Sequence, residues 1–256
     1  MSTAVSPNER QRLEVRVRPA MRPAMFQEWR ELLFLHWEYP VAEIQATLPK
    51  DLLVDTFAGK AYLGIVPFFM CNVRPPFLPT VRRISNFMEL NVRTYVHDAA
   101  GVPGVWFYSL DANQPLAVKI ARRFFHLPYE HAAMESTRTK SGALRFCSTR
   151  AGSAATTVFE YAPGGELSAA APGSLEFFLI ERYRLYANAN GRLSRGAVFH
   201  EPYPLCAAEL TAWDDRLLEL DGFVPASRPP DHVIMSPGVE VTAFPLERVV
   251  TEPSTS

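Results

Sequence analysis

Proline punctuates this chain so often that long helices are excluded over most of its length. The 256 residues include 22 prolines and 13 glycines. Proline lacks the amide hydrogen that a helix interior or a central strand needs, so it ends or interrupts regular structure. The segment RPPFLP, residues 74–79, cannot be regular structure for this reason. We therefore predict a loop-rich protein of many short strands.

One strand has an unusually regular alternation, over residues 87–96. Alternating side chains point to opposite faces of a strand, so this segment has one apolar and one partly polar face. A polar face is typical of a sheet that is open to solvent on one side, but inside a barrel it would line a cavity. The apolar face carries Met88, Leu90, Val92, Thr94 and Val96, and the other carries Phe87, Glu89, Asn91, Arg93 and Tyr95.

The remaining pattern predicts about ten strands and two or three short helices. Ala58-Gly59-Lys60 between two apolar runs indicates a hairpin. Helices are expected after Pro40, after Pro115 and after a capping Ser174. In the second helix, Leu116, Ala117, Ile120, Ala121 and Phe124 form an apolar stripe, and Asp111 before it is interpreted as an N-cap or turn residue. Further strands are predicted at 31–38, 105–110, 132–137, 143–149, 155–161, 184–189, 193–200, 204–210, 232–236 and 239–244.

This element order predicts an α+β class that is mainly antiparallel β. No internal repeat or low-complexity linker marks a domain boundary, so a single domain is expected over residues 21–250. Residues 1–20 are predicted to be a disordered charged tail, and residues 251–256 a second tail.

Charge and composition exclude several classes of protein. A net charge of -1 does not fit a general nucleic-acid binder. No apolar run reaches the roughly 20 residues of a membrane span, and the N-terminus lacks a secretory signal, so we predict a cytoplasmic protein without a membrane partner. Of the 26 basic residues only four are lysines (Lys50, Lys60, Lys119 and Lys140), which limits any amine chemistry.

Common catalytic motifs are missing from the sequence. There is no GxGxxG, P-loop, HExxH or GxSxG pattern, and the three cysteines form no CxxC. The histidines are scattered, so no metal and no cofactor is predicted. Glu181-Arg182-Tyr183 has two interpretations, an ion pair at a helix end or one side chain that points into a pocket.

Seven blocks of the sequence together resemble the YqjF-like family, an uncharacterised bacterial family that is similar to acetoacetate decarboxylase and belongs to its superfamily. The resemblance covers about residues 25–248. It implies a cone-shaped β-barrel with a few peripheral helices and a central cavity. The blocks are LHWEYP, VDTFAGKAYLGIVPF, RPPFLP, FMELNVRTYV, GVWFYSLDA, FFHLPYEHAAM and FFLIERYRLYA.

The resemblance also implies a chemistry that this sequence does not support. Acetoacetate decarboxylase forms a Schiff base through a lysine in a Tyr-Pro-Lys-Lys segment. The matching segment here is Leu127-Pro128-Tyr129-Glu130, in which both lysines are absent. A phenol and a carboxylate cannot form an imine. The glutamate of the family's central strand does have a counterpart, Glu89.

These observations predict a small-molecule site in the barrel cavity for a carboxylate or another anionic or polar ligand. Glu89, Tyr129 and Glu130 are the candidate catalytic residues, and His36, Asn91, Arg93 and Arg182 are the candidate ligand-binding residues. Two alternatives stay open: a non-catalytic sensor or interaction protein, and an enzyme of proton transfer, lyase or hydrolase type that uses Glu89 and Tyr129. A Schiff-base enzyme that uses Lys119 is a third. A homo-oligomer is also left open.

Overall fold

The computed structural model describes residues 6–189 and 191–249, apart from the side chain of Phe124. Within them, none of the helices is long and apolar enough to span a membrane. The described helices are α1 (Glu9–Glu14), α2 (Val41–Thr47), α3 (Pro115–Phe124), α4 (Leu175–Ile180) and α5 (Arg216–Leu220). The described strands are β1 (Met25–Tyr39), β2 (Leu52–Val54), β3 (Ala61–Arg74), β4 (Phe87–Asp98), β5 (Pro103–Ala112), β6 (Tyr129–Arg138), β7 (Leu144–Arg150), β8 (Thr157–Pro163), β9 (Arg184–Ala189), β10 (Arg192–Phe199), β11 (Ala208–Ala212), β12 (His232–Ala243) and β13 (Glu247–Arg248).

Seven strands of the sheet close into a ring. The order around it is β4, β5, β9, β10, β12, β1 and β3, and β3 pairs again with β4. Each of these pairs is antiparallel except β5 with β9. The predicted α+β class with a mainly antiparallel sheet is therefore confirmed. Closure also leaves the ring strands without the long unpaired edges of an open sheet.

Strand β5 changes its neighbour part-way along its length. Val105 and Trp106 pair in parallel with β9, whereas residues 110–112 pair in parallel with the start of β6. From β6 the sheet continues through β7 and β8 to β11, as an antiparallel extension outside the ring. Within the described chain, no strand pairs with residues 107–109 on the side of β5 that faces β6 and β9.

Two hydrophobic clusters lie on the two sides of the ring wall. The first draws side chains from strands all around the ring, including Phe34 of β1, Phe68 of β3 and Val241 of β12, so it lies on the inner side of the wall. The second packs the outer faces of β1, β3 and β4 against β7, β8 and α5, with Leu35 and Phe146 among its members. Ring strands buried on both faces explain the nearly continuous apolar runs in β1 and β3.

The predicted turn at residues 58–60 forms, but the strands beside it do not pair with each other. Phe57 and Lys60 exchange two backbone hydrogen bonds of 2.9 Å each. Ala58 and Gly59 have φ values of 50° and 79°, as a two-residue type I′ turn requires. Strand β2 then pairs with residues 96–98 of β4 instead of with β3. The hairpin prediction is wrong beyond its turn, because β4 extends past β3 and leaves an edge that β2 covers.

The structure differs from the predicted N-terminal tail over residues 6–20. Asn8 caps α1 by accepting a hydrogen bond from the Gln11 amide at 2.9 Å. The Arg12 guanidinium then holds both carboxylate oxygens of the buried Asp55, at 2.6 and 2.7 Å. Charge alone suggested an exposed tail because this carboxylate lies 43 residues away in the sequence. Residues 1–5 and the predicted tail at 251–256 lie outside the described residues, and the single domain over 21–250 stays a prediction.

Asp111 belongs to a buried ion-pair network centred on Arg150, so its interpretation as an N-cap or turn residue is wrong. Gln114 caps α3 instead. The Arg150 guanidinium donates to Asp111 through Nε at 2.8 Å and to Asp221 through Nη1 at 2.7 Å. Arg150 Nη2 also donates to the Ser109 hydroxyl at 2.6 Å. This network ties β5 to β7 and to the end of α5.

Candidate functional site

The polar face of β4 points into the ring. Phe87 and Tyr95, which share this face, belong to the interior cluster. Met88, Leu90 and Val92, on the opposite face, belong to the outer cluster. The alternation that the sequence predicted is therefore present. It places Glu89, Asn91 and Arg93 on the inner face of the wall.

Glu89 and Tyr129 form a hydrogen-bonded pair in this interior. The Tyr129 hydroxyl donates to Glu89 Oε2 at 2.8 Å, and both side chains are buried. Burial raises the pKa of Glu89 to about 7, against the opposing hydrogen bonds from Tyr129 and Asn91. Burial and the neighbouring Glu89 carboxyl raise the pKa of Tyr129 well above its usual value. The phenol therefore stays protonated, and the carboxyl changes its charge near neutral pH.

Arg93 and Asn91 carry polar atoms that no described group satisfies. Arg93 Nε and Asn91 Oδ1 are buried without a hydrogen-bond partner in the described chain. The Arg93 guanidinium lies 5.4 Å from the Phe34 ring centre and 5.7 Å from that of Tyr95. Its one hydrogen bond in the described chain is a long one, 3.4 Å from Nη2 to the Leu179 carbonyl oxygen. Buried polar atoms normally have partners, so these two groups are suited to receive a ligand or water.

His36 is buried on β1, and both of its ring nitrogens are engaged. Nε2 lies 2.7 Å from the Tyr95 hydroxyl, and Nδ1 lies 3.1 Å from Nδ1 of His232. Burial lowers the pKa of His36 well below its usual value, and the nearby His232 and Arg93 lower it further. A neutral His36 with two partners positions Tyr95 and has no nitrogen free for a ligand. Its role as a direct ligand-binding residue stays a prediction that this geometry does not favour.

Gly64 separates His36 from Arg93 in the wall. It pairs with His36 on one side and with Arg93 on the other. A Cβ atom at this position would lie 3.1 Å from His36 Cδ2 and 3.5 Å from Arg93 Cγ. The missing side chain lets the imidazole and the arginine stem approach each other across β3.

Arg182 lies in the interior but is held by a carboxylate that the sequence did not indicate. Its Nη1 donates to Asp55 at 2.8 Å and its Nε donates to the Phe178 carbonyl oxygen at 2.6 Å. Asp55 thus holds two cations, Arg182 and Arg12, which keep the pKa of its carboxyl low in spite of burial. Arg182 Nη2 has no partner in the described chain. Glu181 does not pair with Arg182. Its carboxylate accepts a hydrogen bond from the Tyr183 hydroxyl, so the predicted ion pair within this segment is wrong.

Glu130 does not join the other candidates. It follows Tyr129 on β6, and successive residues of a strand face opposite sides. Its side chain is half exposed and pairs with Arg122 Nη2 at 2.8 Å. The prediction of a cavity role for Glu130 came from a matched segment without knowledge of where the strand begins. Of these two neighbours, only Tyr129 points inward.

The amines and metal-binding groups also have clear positions. All four lysines, including Lys119 on α3, are exposed. An exposed lysine lacks the desolvated surroundings that activate a Schiff-base amine. Over residues 6–189 and 191–249, no three His, Cys, Asp or Glu side chains are arranged to hold a metal ion.

A cleft of about 550 Å³ opens where β5 changes its neighbour. Trp106, Phe107, Tyr108 and Leu127 line it. Phe107 and Leu127 also pack against the interior cluster, so the cleft and the interior share part of one wall.

Comparison with known proteins assigns the family. Residues 26–240 match the DUF2071 family, which is described as an uncharacterized conserved protein. The chain belongs to this family. The family's curated relative YqjF of Bacillus subtilis (strain 168), an uncharacterized protein, is 39% identical over 186 residues, which cover 72% of this chain and 76% of YqjF. The sequence resemblance to the YqjF-like family is therefore confirmed.

Solved structures show that this chain is also similar in fold to acetoacetate decarboxylase. Acetoacetate decarboxylase from Legionella pneumophila is 12% identical, covers 98% of both chains and has a TM-score of 0.61. The enduracididine biosynthesis enzyme MppR, complexed with pyruvate, is 12% identical, covers 90% of this chain and 91% of its own, and has a TM-score of 0.57. At such low identity the likeness shows the fold alone.

Proposed function

We propose that the protein binds a small molecule with a carboxylate group in the interior of the ring, and that Arg93 is the counter-ion. This proposal rests on the hydrogen-bond and ion-pair partners that Arg93 lacks within the described part of the chain. It is a cation on the inner face with no ion pair to a described carboxylate and with an unpartnered buried Nε. A guanidinium can hold a carboxylate with two parallel hydrogen bonds, which would satisfy this atom.

The other polar groups of the inner face give the ligand a direction. Glu89 and Arg93 are four residues apart on one strand, so their backbones lie roughly 13 Å apart. Asn91 lies between them on the same face. A ligand whose carboxylate meets Arg93 would therefore extend its uncharged part towards Asn91 and the Glu89–Tyr129 pair. The cleft beside β5 is the route of entry that this arrangement favours.

The test measures binding of pyruvate and acetoacetate, with uncharged methyl pyruvate as the comparison. We expect the two acids to raise the melting temperature with increasing concentration, because a ligand that binds only the folded state stabilises it. Methyl pyruvate should raise it much less. Calorimetric titration then gives the affinities for the wild type and the variants.

Arg93→Gln is expected to weaken acid binding at least tenfold, by loss of a charge-assisted hydrogen bond. Arg93→Lys keeps the charge but not the planar fork of the guanidinium, so it should weaken binding less. A graded loss of this kind separates the effect of the charge from a folding defect in Arg93→Gln. Arg145→Gln, at an exposed ion pair with Glu160, is the matched control. Equal affinity in wild type and both Arg93 variants would overturn the proposal.

A second candidate function, proton transfer at a carbon beside a carbonyl, is favoured by the pKa of Glu89. A carboxyl with a pKa of about 7 is suited to be a general base at neutral pH. Glu89 would take a proton from the methyl group of a bound 2-oxo acid, while the Tyr129 hydroxyl donates a hydrogen bond to its carboxyl. The Glu89 carboxyl would then exchange this proton for a solvent deuteron and return the deuteron to the same carbon. This step needs no amine and no further reactant.

Exchange of pyruvate methyl protons in D2O, followed by NMR, separates an enzyme from a non-catalytic sensor. An enzyme exchanges the protons faster than buffer does, and Glu89→Gln removes the acceleration while binding persists. A sensor binds the acid without exchange, and Glu89→Gln then changes affinity only. Exchange that continues unchanged in Glu89→Gln would refute the role of Glu89.

A further inference from the structure

The loop between β3 and β4 exposes an apolar segment that has no part in the ligand site proposed for the ring interior. This loop contains the RPPFLP motif. Phe77 is 100% exposed, Leu78 57%, Val81 51% and Ile84 37%. Phe77 also has a φ of 67°, in the left-handed region that a bulky side chain rarely adopts. Backbone strain of this kind is found at functional segments, and here it presents a bare aromatic ring to solvent.

Helix α3 continues this surface. Gln114, its N-cap, donates from Nε2 to the Arg83 carbonyl oxygen of the loop at 3.0 Å. Val118 is buried and anchors the helix, whereas Leu116 and Ile120 are 44% and 40% exposed. The predicted apolar stripe is therefore divided. Ala117 and Ala121 pack on the interior cluster, but Leu116 and Ile120 do not, and the Phe124 side chain lies outside the described part.

The charge of this surface has one sign. Residues 74–88 and 113–128 contain no aspartate and no glutamate. Arg122 is paired with Glu130. The other exposed cations of the two segments form no ion pair within the described part of the chain; they are Arg82, Arg83, Lys119 and Arg123. We call these cations, together with the apolar side chains Phe77, Leu78, Val81, Ile84, Leu116 and Ile120, the loop–helix surface.

Its charge and shape favour one kind of partner. In a two-fold dimer the same patch meets itself, so these cations would face their own copies. The most exposed apolar group, Phe77, is fully exposed on a loop that Pro75, Pro76 and Pro79 stiffen. A projecting apolar tip among cations suits insertion between anionic lipid headgroups.

We propose that the loop–helix surface docks the protein peripherally on an anionic lipid surface. Phe77 and Leu78 enter the headgroup region, and the four unpaired cations contact the lipid charges. The sequence prediction of no membrane partner rested on the lack of a membrane-spanning segment, and peripheral docking needs none. This proposal is independent of the ligand proposed for the ring interior.

The test is co-sedimentation of the whole chain with vesicles of phosphatidylcholine alone and with added phosphatidylglycerol. We expect binding to the anionic vesicles only. The binding should be lost in about 1 M NaCl, where the Debye length falls to about 3 Å. Equal binding to both vesicles, or no binding to either, would overturn the proposal.

Two paired variants separate the apolar and charged contributions. Phe77→Ser with Leu78→Ser, and Arg82→Gln with Arg83→Gln, are each expected to weaken partitioning about tenfold. The controls are Val224→Ser, at an apolar side chain 76% exposed elsewhere, and Arg145→Gln. All four proteins should keep the wild-type melting temperature because the side chains are exposed. Losses as large in the controls would contradict the assignment.

Light scattering and a soluble polyanion distinguish other occupants. The surface would belong to a second copy of the chain if the wild type is a dimer that does not bind vesicles and the variant Phe77→Ser with Leu78→Ser is a monomer. Binding to polyglutamate but not to vesicles would assign it to an acidic protein. Either result overturns lipid docking.

Discussion

The Tyr129 hydroxyl and the Glu89 carboxyl meet at 2.8 Å inside the ring, although their strands are not neighbours. Glu89 lies on β4 and Tyr129 on β6, and β5 lies between them in the sheet. The hydrogen bond therefore spans β5 on the inner face. It fixes the position of the Glu89 carboxyl, whose pKa burial raises to about 7.

Tyr129→Phe is expected to raise the pKa of Glu89 above its present value of about 7. The phenol donates to the carboxyl and favours its ionised form, and hydrogen bonds to charged groups contribute about 1.5–3 kcal/mol. Its loss should raise this pKa by about 1 unit or more. Carbon-13 NMR of the Glu89 carboxyl measures the titration. Tyr108→Phe, which removes a hydroxyl that bonds Thr47, is the control and should leave it unchanged.

Glu89 is also expected to make folding stability depend on pH. Its pKa rises from 4.5 to about 7 on folding because burial disfavours the charged form. The folded state therefore holds the proton more tightly. The resulting stability is fully present below about pH 4.5 and is lost as the pH rises through about 7. Its full size is roughly 3 kcal/mol.

Urea denaturation of Glu89→Gln at both ends of this range measures the contribution. The amide stays neutral, so the variant should lose less stability than the wild type as the pH rises. Asp111, whose pKa burial raises to about 6, adds a slope of the same sign to both proteins, so the difference between them reports on Glu89. Glu130→Gln is the exposed control. Identical slopes in wild type and Glu89→Gln would contradict a raised pKa.

Asp55→Asn is expected to lower the free energy of unfolding by about 3 kcal/mol or more, since it leaves buried charge without its counter-ion. Asp55 compensates both Arg12 and Arg182. Asp231→Asn removes the exposed partner of Arg228 and should cost less than about 1 kcal/mol. Urea denaturation at neutral pH gives both values. A small effect at Asp55 would show that the arginines find other partners.

Gly64→Ala is expected to destabilise the ring by about 1–3 kcal/mol, because its methyl group would press on the His36 ring. The same change at Gly165, where a Cβ meets nothing within 4 Å, is the matched control and should be close to neutral. Thermal unfolding compares the two. A neutral result at Gly64 would mean that His36 has room to move aside.

The sequence was most informative where the pattern is local. Strict alternation in β4 placed Glu89, Asn91 and Arg93 on one face, and the closed ring shows that this face is the interior. Tyr129 came from the family resemblance, which also matched Glu130. Of these two residues only Tyr129 points inward, and a matched segment does not reveal which way each side chain faces.

Contacts between distant segments were beyond such patterns. The partner of Arg182 is Asp55, 127 residues away, and the partner of His36 is His232, 196 residues away. Each pair depends on how the ring closes. A buried acid such as Asp55 needs a cation, but nothing local in the sequence identifies which one.

The position of β1 between β3 and β12 has a consequence for biosynthesis. Strands β3 and β4 leave the ribosome soon after β1, whereas β12 begins only at residue 232. Until then β1 keeps a long open edge, which is the kind of surface that recruits other chains. We expect nascent chains truncated before residue 232 to aggregate or to bind chaperones, with no smaller native fold available to them. The last long strand of the ring therefore decides when the fold can form, because the ring cannot close before β12 has been made.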